Sequence, residues 1–193
     1  MQVRRSARDQ RGAAMVEFAL VLPLLLLLVF GMIDFASVFN DYQSVRQGAG
    51  AADREAVVNQ SPPVTRPNCN SANVSNIHMS SPPAAGSSAA NLICFTKARV
   101  GLNMDNTRVA LVFNAPLTAG KPLMVCVQYP VSSLTGYLSH LLGNKVLNTQ
   151  AETIVEILSP STPEGSLASG SGFVAEDPIT GTSWPSSCDR SHL

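Results

Sequence analysis

A run of apolar residues near the N-terminus constrains this chain more than any other feature of its sequence. No charged residue occurs between Phe18 and Ile33, and the apolar character extends back to Ala13. A helix of about 20 residues is about 30 Å long, which matches the hydrocarbon core of a bilayer. The sequence therefore predicts a membrane-spanning helix over residues 13–33.

A basic segment, residues 1–12, precedes the apolar run. It carries Arg4, Arg5, Arg8 and Arg11, opposed only by Asp9. Such segments stay in the cytoplasm, which predicts a single-pass protein with its N-terminus inside and its remainder outside the cytoplasm. A cleaved secretory signal has a shorter apolar core followed by small residues. This run is longer and ends in bulky residues, so a retained anchor is favoured.

One carboxylate, Glu17, interrupts the beginning of the apolar segment, and Gly12 lies five residues before it. A charge at the centre of a bilayer costs about 2.5–3.5 kcal/mol on insertion scales. Glu17 can be an interfacial acid without a function. The alternative is that a peptidase cuts after Gly12 and frees the amine of Ala13. Glu17 could then pair with that amine in its own or a neighbouring subunit and set the register between subunits.

The string RGAAMVEFALVLPLLLLLVFGMIDF, residues 11–35, resembles the N-terminal signature of the TadE-like proteins of the tight-adherence (Flp) pilus system. More broadly, it is similar to the class III leader of type IV pilins and pseudopilins. In these families a prepilin peptidase cuts after the glycine, and a glutamate occupies mature position five. The resemblance implies that Gly12 and Ala13 form the cleavage site and that Glu17 and Phe18 act in processing and assembly. Many type IV pilins begin with phenylalanine instead of alanine.

The resemblance also implies a function and a set of partners. The chain is expected to be a minor pseudopilin of the bacterial inner membrane that is cleaved after Gly12 and assembles through its N-terminal helix. Its expected partners are the prepilin peptidase, other pilin or pseudopilin subunits, the pilus assembly platform and membrane lipid. The alternative is an uncleaved single-pass anchor with an exported binding head.

Beyond the membrane, the sequence predicts an amphipathic helical stem over residues 34–58. Apolar residues recur at steps of three and four, as on one face of a helix. This stripe can pack on the protein's own head, against partner helices, or on each along different parts of the stem. The segment QGAGAA, residues 47–52, weakens the helix and leaves the stripe narrow enough for close approach. The stripe consists of Phe35, Val38, Phe39, Tyr42, Val45, Ala49, Ala52 and Ala56.

The remaining chain is predicted to form a small head between two flexible segments. Residues 59–91 read as a loop or linker and residues 159–193 as a flexible tail, because Ser, Pro and Gly or Asn are abundant in them. The fold class is therefore α+β: a long membrane-spanning helix continues into a stem, followed by a pilin-like extracytoplasmic β-rich head over residues 92–158. A head this small is expected to need the stem helix to complete its core.

Within the head, β-branched residues and partial alternation predict three strands, and a fourth segment is ambiguous. A short amphipathic helix is expected between the third strand and the last segment. We favour a strand for the last segment, returning beside the third, with a helical turn as the alternative. In chain order these elements are strands at Leu92–Val100, Thr107–Phe113 and Pro122–Pro130, the helix at Ser133–Gly143, and the ambiguous segment Lys145–Leu158.

Four cysteines lie in the part of the chain assigned outside the cytoplasm: Cys69, Cys94, Cys126 and Cys188. An even number in an oxidising compartment indicates two disulfides, and four cysteines allow three pairings. Two of them fall in predicted strands and two in loose segments. We favour Cys69–Cys94 and Cys126–Cys188, which would attach each loose segment to the sheet. A bridge between Cys94 and Cys126 across adjacent strands stays open.

The composition and motifs give no indication of catalysis, a cofactor or a metal site. Thirteen basic residues balance thirteen acidic ones, so the charge offers no reason to expect nucleic acid. The sequence has no G-x-S-x-G, H-E-x-x-H or phosphate-binding loop. It has no C-x-x-C, and His78, His140 and His192 are widely separated. We therefore expect a structural protein with no catalytic residues and no small-molecule substrate.

Overall fold

A computed structural model of the chain describes residues 8–58, 65–66, 69–70, 88–114, 120–136, 145–155 and 173–188. Its first element is a continuous helix, α1, Arg8–Val58, which contains Pro23. At 1.5 Å per residue this helix is about 76 Å long, far longer than the thickness of a bilayer. The predicted membrane-spanning segment and the predicted stem are thus one helix, as the sequence predicts.

The two halves of α1 have different environments. By length and composition α1 could cross a membrane, and its most apolar stretch has no part buried inside the protein. The second half packs on the head through Val45, Ala49, Ala52 and Ala56, which are all buried. One half of this long helix is packed in the core of the head, and the other half is not covered by the protein. This arrangement agrees with a membrane segment that continues into a packed stem.

The segment Leu92–Val100, predicted as a strand, instead belongs to a second helix, α2, Ser88–Val100. Helix α2 contacts both α1 and the sheet, and its residues 92–97 are all buried. A short apolar run that is buried on every side has no period, so the pattern cannot distinguish a strand from a helix. The preceding Ala89 and Ala90 favour the helix. Gly101, with φ of 70°, ends it in the left-handed conformation.

Four antiparallel strands form the sheet, in the order β5-β4-β3-β6. The three longer strands confirm the predictions for Thr107–Phe113 and Pro122–Pro130 and the favoured strand within Lys145–Leu158, which does return beside the third predicted strand. A separate two-stranded antiparallel pair consists of β1 and β2. The strands are β1 Thr65–Arg66, β2 Cys69–Asn70, β3 Arg108–Phe113, β4 Pro122–Pro130, β5 Val146–Ile154 and β6 Phe173–Ala175.

Both faces of the two central strands are covered, whereas β5 is an edge strand with alternating exposure. Alternate residues of β3 and β4 face the helices and complete the main core, including Leu111, Leu123 and Val125. The intervening residues form a second cluster with Cys188 and Trp184. The sheet therefore separates a helical layer from a layer built by the end of the chain.

The covering of the second sheet face corrects the prediction of a flexible tail. Residues 173–188 form strand β6, a turn and a short 3-10 helix, Ser186–Cys188. Serine, glycine and proline content indicated flexibility, but buried contacts of Glu176 and Cys188 hold this segment. The predicted linker likewise contains β1, β2 and the start of α2. The domain boundaries drawn from the sequence otherwise stay predictions.

The predicted helix Ser133–Gly143 does not begin where expected. Residues 133–136 are a bend without helical hydrogen bonding, and residues 137–143 lie outside the described part of the chain. Gly136 has φ of 75°, a left-handed conformation that a regular helix does not contain.

Candidate functional site

The residues predicted for processing lie on the uncovered first half of α1. Gly12, Ala13, Glu17 and Phe18 are all helical and exposed. Ala13 and Glu17 are four positions apart, so they lie on one helical face with their Cβ atoms about 6 Å apart. On this helix, an amine freed at Ala13 would therefore be within reach of the Glu17 carboxylate of the same chain.

The basic residues predicted for the leader are only partly visible. Arg4 and Arg5 lie outside the described residues. Arg8 and Arg11 belong to the first turns of α1, and only their backbone is described. The assignment of these arginines to a cytoplasmic leader stays a prediction.

At the other end of the apolar segment, Asp34 connects α1 to the head. Its carboxylate is fully buried and accepts hydrogen bonds from the Ser133 hydroxyl at 2.8 Å and from the Thr135 amide and hydroxyl at 2.9 and 2.7 Å. These donors belong to the bend that follows β4. Charge-assisted hydrogen bonds of this kind are stronger than neutral ones. Asp34 therefore fixes the head at one level of α1, directly after the uncharged segment.

Glu17 and Asp34 mark the two ends of that uncharged segment. They are seventeen positions apart, which corresponds to about 26 Å along a helix. That distance is close to the thickness of a bilayer's hydrocarbon core of about 30 Å. Asp34 was missed in the sequence analysis, although it is the first charged residue after the apolar run.

The predicted apolar stripe of the stem divides at Tyr42. In the part nearer the N-terminus, which ends with Tyr42, the side chains of Phe35, Phe39 and Tyr42 are exposed. The rings of Phe35 and Phe39 stack with centroids 6.4 Å apart. Above Tyr42, the stripe packs on the protein's own head. A groove of about 430 Å³ begins beside Tyr42 and Arg46 and separates α1 from β5 and the 3-10 helix. Packing on the protein's own head is thus confirmed for the upper part of the stripe, whereas packing of the exposed aromatic part against partner helices stays a prediction.

A buried ion pair attaches the end of the chain to α2. Lys97 Nζ donates to Glu176 Oε1 at 2.5 Å, and both side chains are fully buried. The other oxygen of Glu176 accepts from the Val109 amide at 2.7 Å. Burial lowers the pKa of Lys97, and the nearby Glu176 carboxylate opposes that shift. Removing one member of such a pair is destabilising because it leaves an uncompensated buried charge.

Gln128 provides a second attachment of the same segment. Its amide oxygen accepts from the Ile179 amide at 3.0 Å, and its amide nitrogen donates to Asn148 and to the Ser183 carbonyl. The indole of Trp184 donates to the Glu176 carbonyl at 2.9 Å. These contacts carried no signal in the sequence because no local motif joins their partners, which in the contacts of Gln128 lie 20 to 55 positions apart.

The cysteines complete this layer. Cys126 and Cys188 form a disulfide with Cα atoms 6.2 Å apart, which is the pairing favoured for these two residues and excludes the bridge between Cys94 and Cys126. Cys94 is also disulfide-bonded. The side chain of Cys69 lies outside the described part of the structure, so the pairing of Cys69 with Cys94 stays a prediction. Within the residues that the structure describes, no group of three or more His, Cys, Asp or Glu could hold a metal ion.

Together these features define a class: an α+β protein with one candidate membrane-spanning helix and a small antiparallel sheet domain packed on the continuation of that helix. A sequence model of the family described as TadE-like protein matches residues 12–54. The resemblance stated from the sequence is therefore confirmed over the candidate span and most of the stem. It points to a component associated with a Tad pilus. No curated protein and no solved structure matches the chain.

Proposed function

We propose that this protein is a minor pseudopilin of a Tad pilus system, anchored in the bacterial inner membrane and cleaved after Gly12 by a prepilin peptidase. One observation carries the proposal. The family match begins at Gly12 and includes the apolar part of α1, whose most apolar stretch has no part buried inside the protein. A helix that is uncovered over its apolar length is suited to insertion in lipid and then to packing against other subunits.

The proposal assigns the N-terminus to the cytoplasm and the sheet domain to the outside. The arginines before the span support this orientation through the positive-inside rule. The disulfide between Cys126 and Cys188 supports it as well, because disulfides persist in oxidising compartments. The proposed partners are the peptidase, other pilin or pseudopilin subunits, the assembly platform and lipid. The role is structural, with no enzymatic activity.

Cleavage is tested by substituting Gly12 with alanine. A Cβ at Gly12 meets nothing within 4 Å, so Gly12→Ala should leave the fold unchanged. Gly31→Ala is the matched control, because Gly31 is equally unobstructed on the same helix. With a prepilin peptidase present, intact-mass measurement should show loss of the first twelve residues in the wild type and in Gly31→Ala, and an uncleaved chain in Gly12→Ala.

An uncleaved wild-type chain, beside an authentic substrate that the same peptidase cleaves, would overturn the proposal. That result would favour the alternative of a permanent single-pass anchor whose exported head binds another molecule. If the peptidase cleaves wild type and Gly12→Ala equally, the assignment of Gly12 as the recognition residue is wrong.

The role of Glu17 in assembly is tested separately from cleavage. Glu17→Gln keeps the size of the side chain and removes the charge that would pair with the freed amine of Ala13. Membrane insertion should be retained, whereas recovery of the protein with purified pili or with its assembly complex should fall. Normal recovery of the variant would contradict a role for Glu17 in setting the register between subunits.

A further inference from the structure

The sheet domain lies along α1 in a defined direction. At its lower end, Ser133 and Thr135 contact Asp34. Farther up, Tyr42 and Arg46 share a groove with residues 148–150 of β5. Higher still, Asp53 lies close enough to Glu152 for that carboxylate to raise its pKa. Strand β5 therefore runs along α1 in the direction away from the candidate membrane span. The end of the domain that carries the bend after β4 lies nearest to that span.

This lower end displays an apolar side chain that the fold leaves exposed. Among the described residues beyond α1, only two large hydrophobic side chains are exposed, Leu134 at 73% and Ile154 at 58%. Leu134 lies between Ser133 and Thr135, the two residues bonded to Asp34. Phe35, the next residue of α1, is 71% exposed. Leu134 and Phe35 thus flank the level at which the uncharged segment ends.

The bend is also suited to a lipid surface by its lack of charge. Its sequence from Val131 to Gly136 is VSSLTG, with no ionisable side chain. The nearest carboxylate, Asp34, is buried and accepts three hydrogen bonds from the bend itself. No side chain of the bend itself therefore has a charge that must leave water, and Asp34 is already satisfied within the protein. The exposed Lys145, whose carbonyl accepts from the Val131 amide, lies beside the bend.

We propose that the bend Val131–Gly136 is a lipid-contact surface, with Leu134 and Phe35 inserted into the interfacial layer at the outer end of the span. The sheet domain then rests on the membrane and is held there by Asp34. Hydroxyl groups in the bend suit the headgroup layer, and an apolar side chain suits the acyl boundary beneath it. The inference rests on the proposed insertion of α1, because the bend reaches lipid only if Asp34 lies at the membrane surface.

The test uses full-length protein in phosphatidylcholine vesicles whose acyl chains are brominated near the carbonyl end. Bromine quenches tryptophan fluorescence on contact, and the wild type, which has one tryptophan, supplies the background from Trp184. Leu134→Trp reports on the bend, and Phe35→Trp is an independent second reporter. Ile154→Trp is the matched control: it is also exposed, but lies about 26 Å along β5 from the end nearest the membrane. Leu26→Trp monitors insertion of the span.

We expect the added emission at positions 134 and 35 to be blue-shifted and quenched, and the emission at position 154 to be unaffected. Suppose that Leu26→Trp is quenched in lipid brominated near the methyl end, but that Leu134→Trp and Phe35→Trp are not quenched in lipid brominated near the carbonyl end. That result would overturn the lipid contact while leaving the membrane anchor intact. Equal quenching at 134 and 154 would overturn the proposed orientation of the domain. An unquenched Leu26→Trp in lipid brominated near the methyl end would show that the span itself is not inserted, and both proposals would fall.

Discussion

Asp34 shows how one side chain can link a candidate membrane-spanning helix to a folded domain. Its partners lie about a hundred residues farther along the chain, and all three bonds converge on one carboxylate. Without Asp34, α1 and the bend after β4 would still be adjacent, but the Thr135 amide would lose its acceptor. The residue therefore contributes position as well as stability, because it determines which level of the helix the domain contacts.

Replacing Asp34 with alanine should destabilise the protein by about 1–3 kcal/mol, since it removes the acceptor of a buried amide and two hydroxyls. Asp34→Asn retains one oxygen for the Thr135 amide and should cost less. Urea unfolding in detergent micelles measures the first effect, and hydrogen exchange of the Thr135 amide locates it. Equal stability of Asp34→Ala and wild type would show that water replaces the carboxylate at no cost.

Asp53, near the upper end of the stem, predicts a dependence of stability on pH. Burial raises its pKa above the usual 3.8, Arg54 opposes that shift, and Glu152 adds to it. One carboxylate oxygen of Asp53 is buried with no hydrogen-bond partner in the described structure. Because the folded chain holds this proton more tightly than the unfolded chain, ionised Asp53 costs stability above its folded pKa. That cost disappears as the pH falls towards 3.8.

Asp53→Asn should therefore raise the melting temperature at neutral pH, and its advantage over the wild type should shrink as the pH approaches 3.8. Thermal unfolding of both proteins across this pH range measures the difference. Glu152→Gln, which removes only the repulsion, should act in the same direction with a smaller effect. A constant advantage at all pH values would indicate a packing effect instead of relief of the ionised carboxylate.

At the scale of elements, the closest contact in the helical layer lies between α1 and α2. Gly48 is buried, and a Cβ placed there would lie 2.4 Å from Val100 Cγ2 and 2.9 Å from the Val100 backbone nitrogen. The two helices can approach to this distance only because Gly48 has no side chain. The QGAGAA segment, which the sequence marked as weak for a helix, is thus a place of close packing between the two helices.

Gly48→Ala should destabilise the protein, because overpacking costs about 1–3 kcal/mol. The gain in helix propensity, about 1 kcal/mol, offsets this only in part. Gly50→Ala is the matched control: a Cβ there meets nothing within 4 Å, so the same propensity gain should appear as added stability. Denaturant unfolding of the two variants should shift in opposite directions. A stabilised Gly48→Ala would mean that α2 can move away from α1 at little cost.

The elements also show what a sequence pattern can predict. The strands Arg108–Phe113 and Pro122–Pro130 were recognisable because they are rich in β-branched residues between turn signals. The edge strand Val146–Ile154 alternates in exposure, which is the pattern of a half-buried strand. Helix α2 was mistaken for a strand because burial on all sides removes the period. Strand β6 has three residues, too few for any pattern to register.

At the scale of the whole molecule, the long contacts explain why the candidate site was only half predictable. The residues proposed for cleavage and assembly lie close together in sequence, so a local motif could point to them. The attachments made by Asp34, Gln128 and Glu176 join residues between 20 and 101 positions apart. Such pairs depend on how the sheet folds against α1, which no local pattern records. The disulfide between Cys126 and Cys188 was partly predictable from the sequence, because four cysteines allow only three pairings.

The core itself predicts which part of the chain can fold alone. Val45, Ala49, Ala52 and Ala56 of α1 belong to the same buried cluster as residues of α2 and the sheet. A fragment of residues 34–193 keeps this contribution and should unfold cooperatively, as followed by Trp184 fluorescence. A fragment of residues 59–193 lacks one side of its core and should show no cooperative transition. Ala52→Glu in the longer fragment, which places a charge at a fully buried position, should reproduce that failure.

Cooperative unfolding of residues 59–193 with the same midpoint as the longer fragment would show that the stem is dispensable for the fold. The head would then be an independent domain that packs on α1 without needing it to fold.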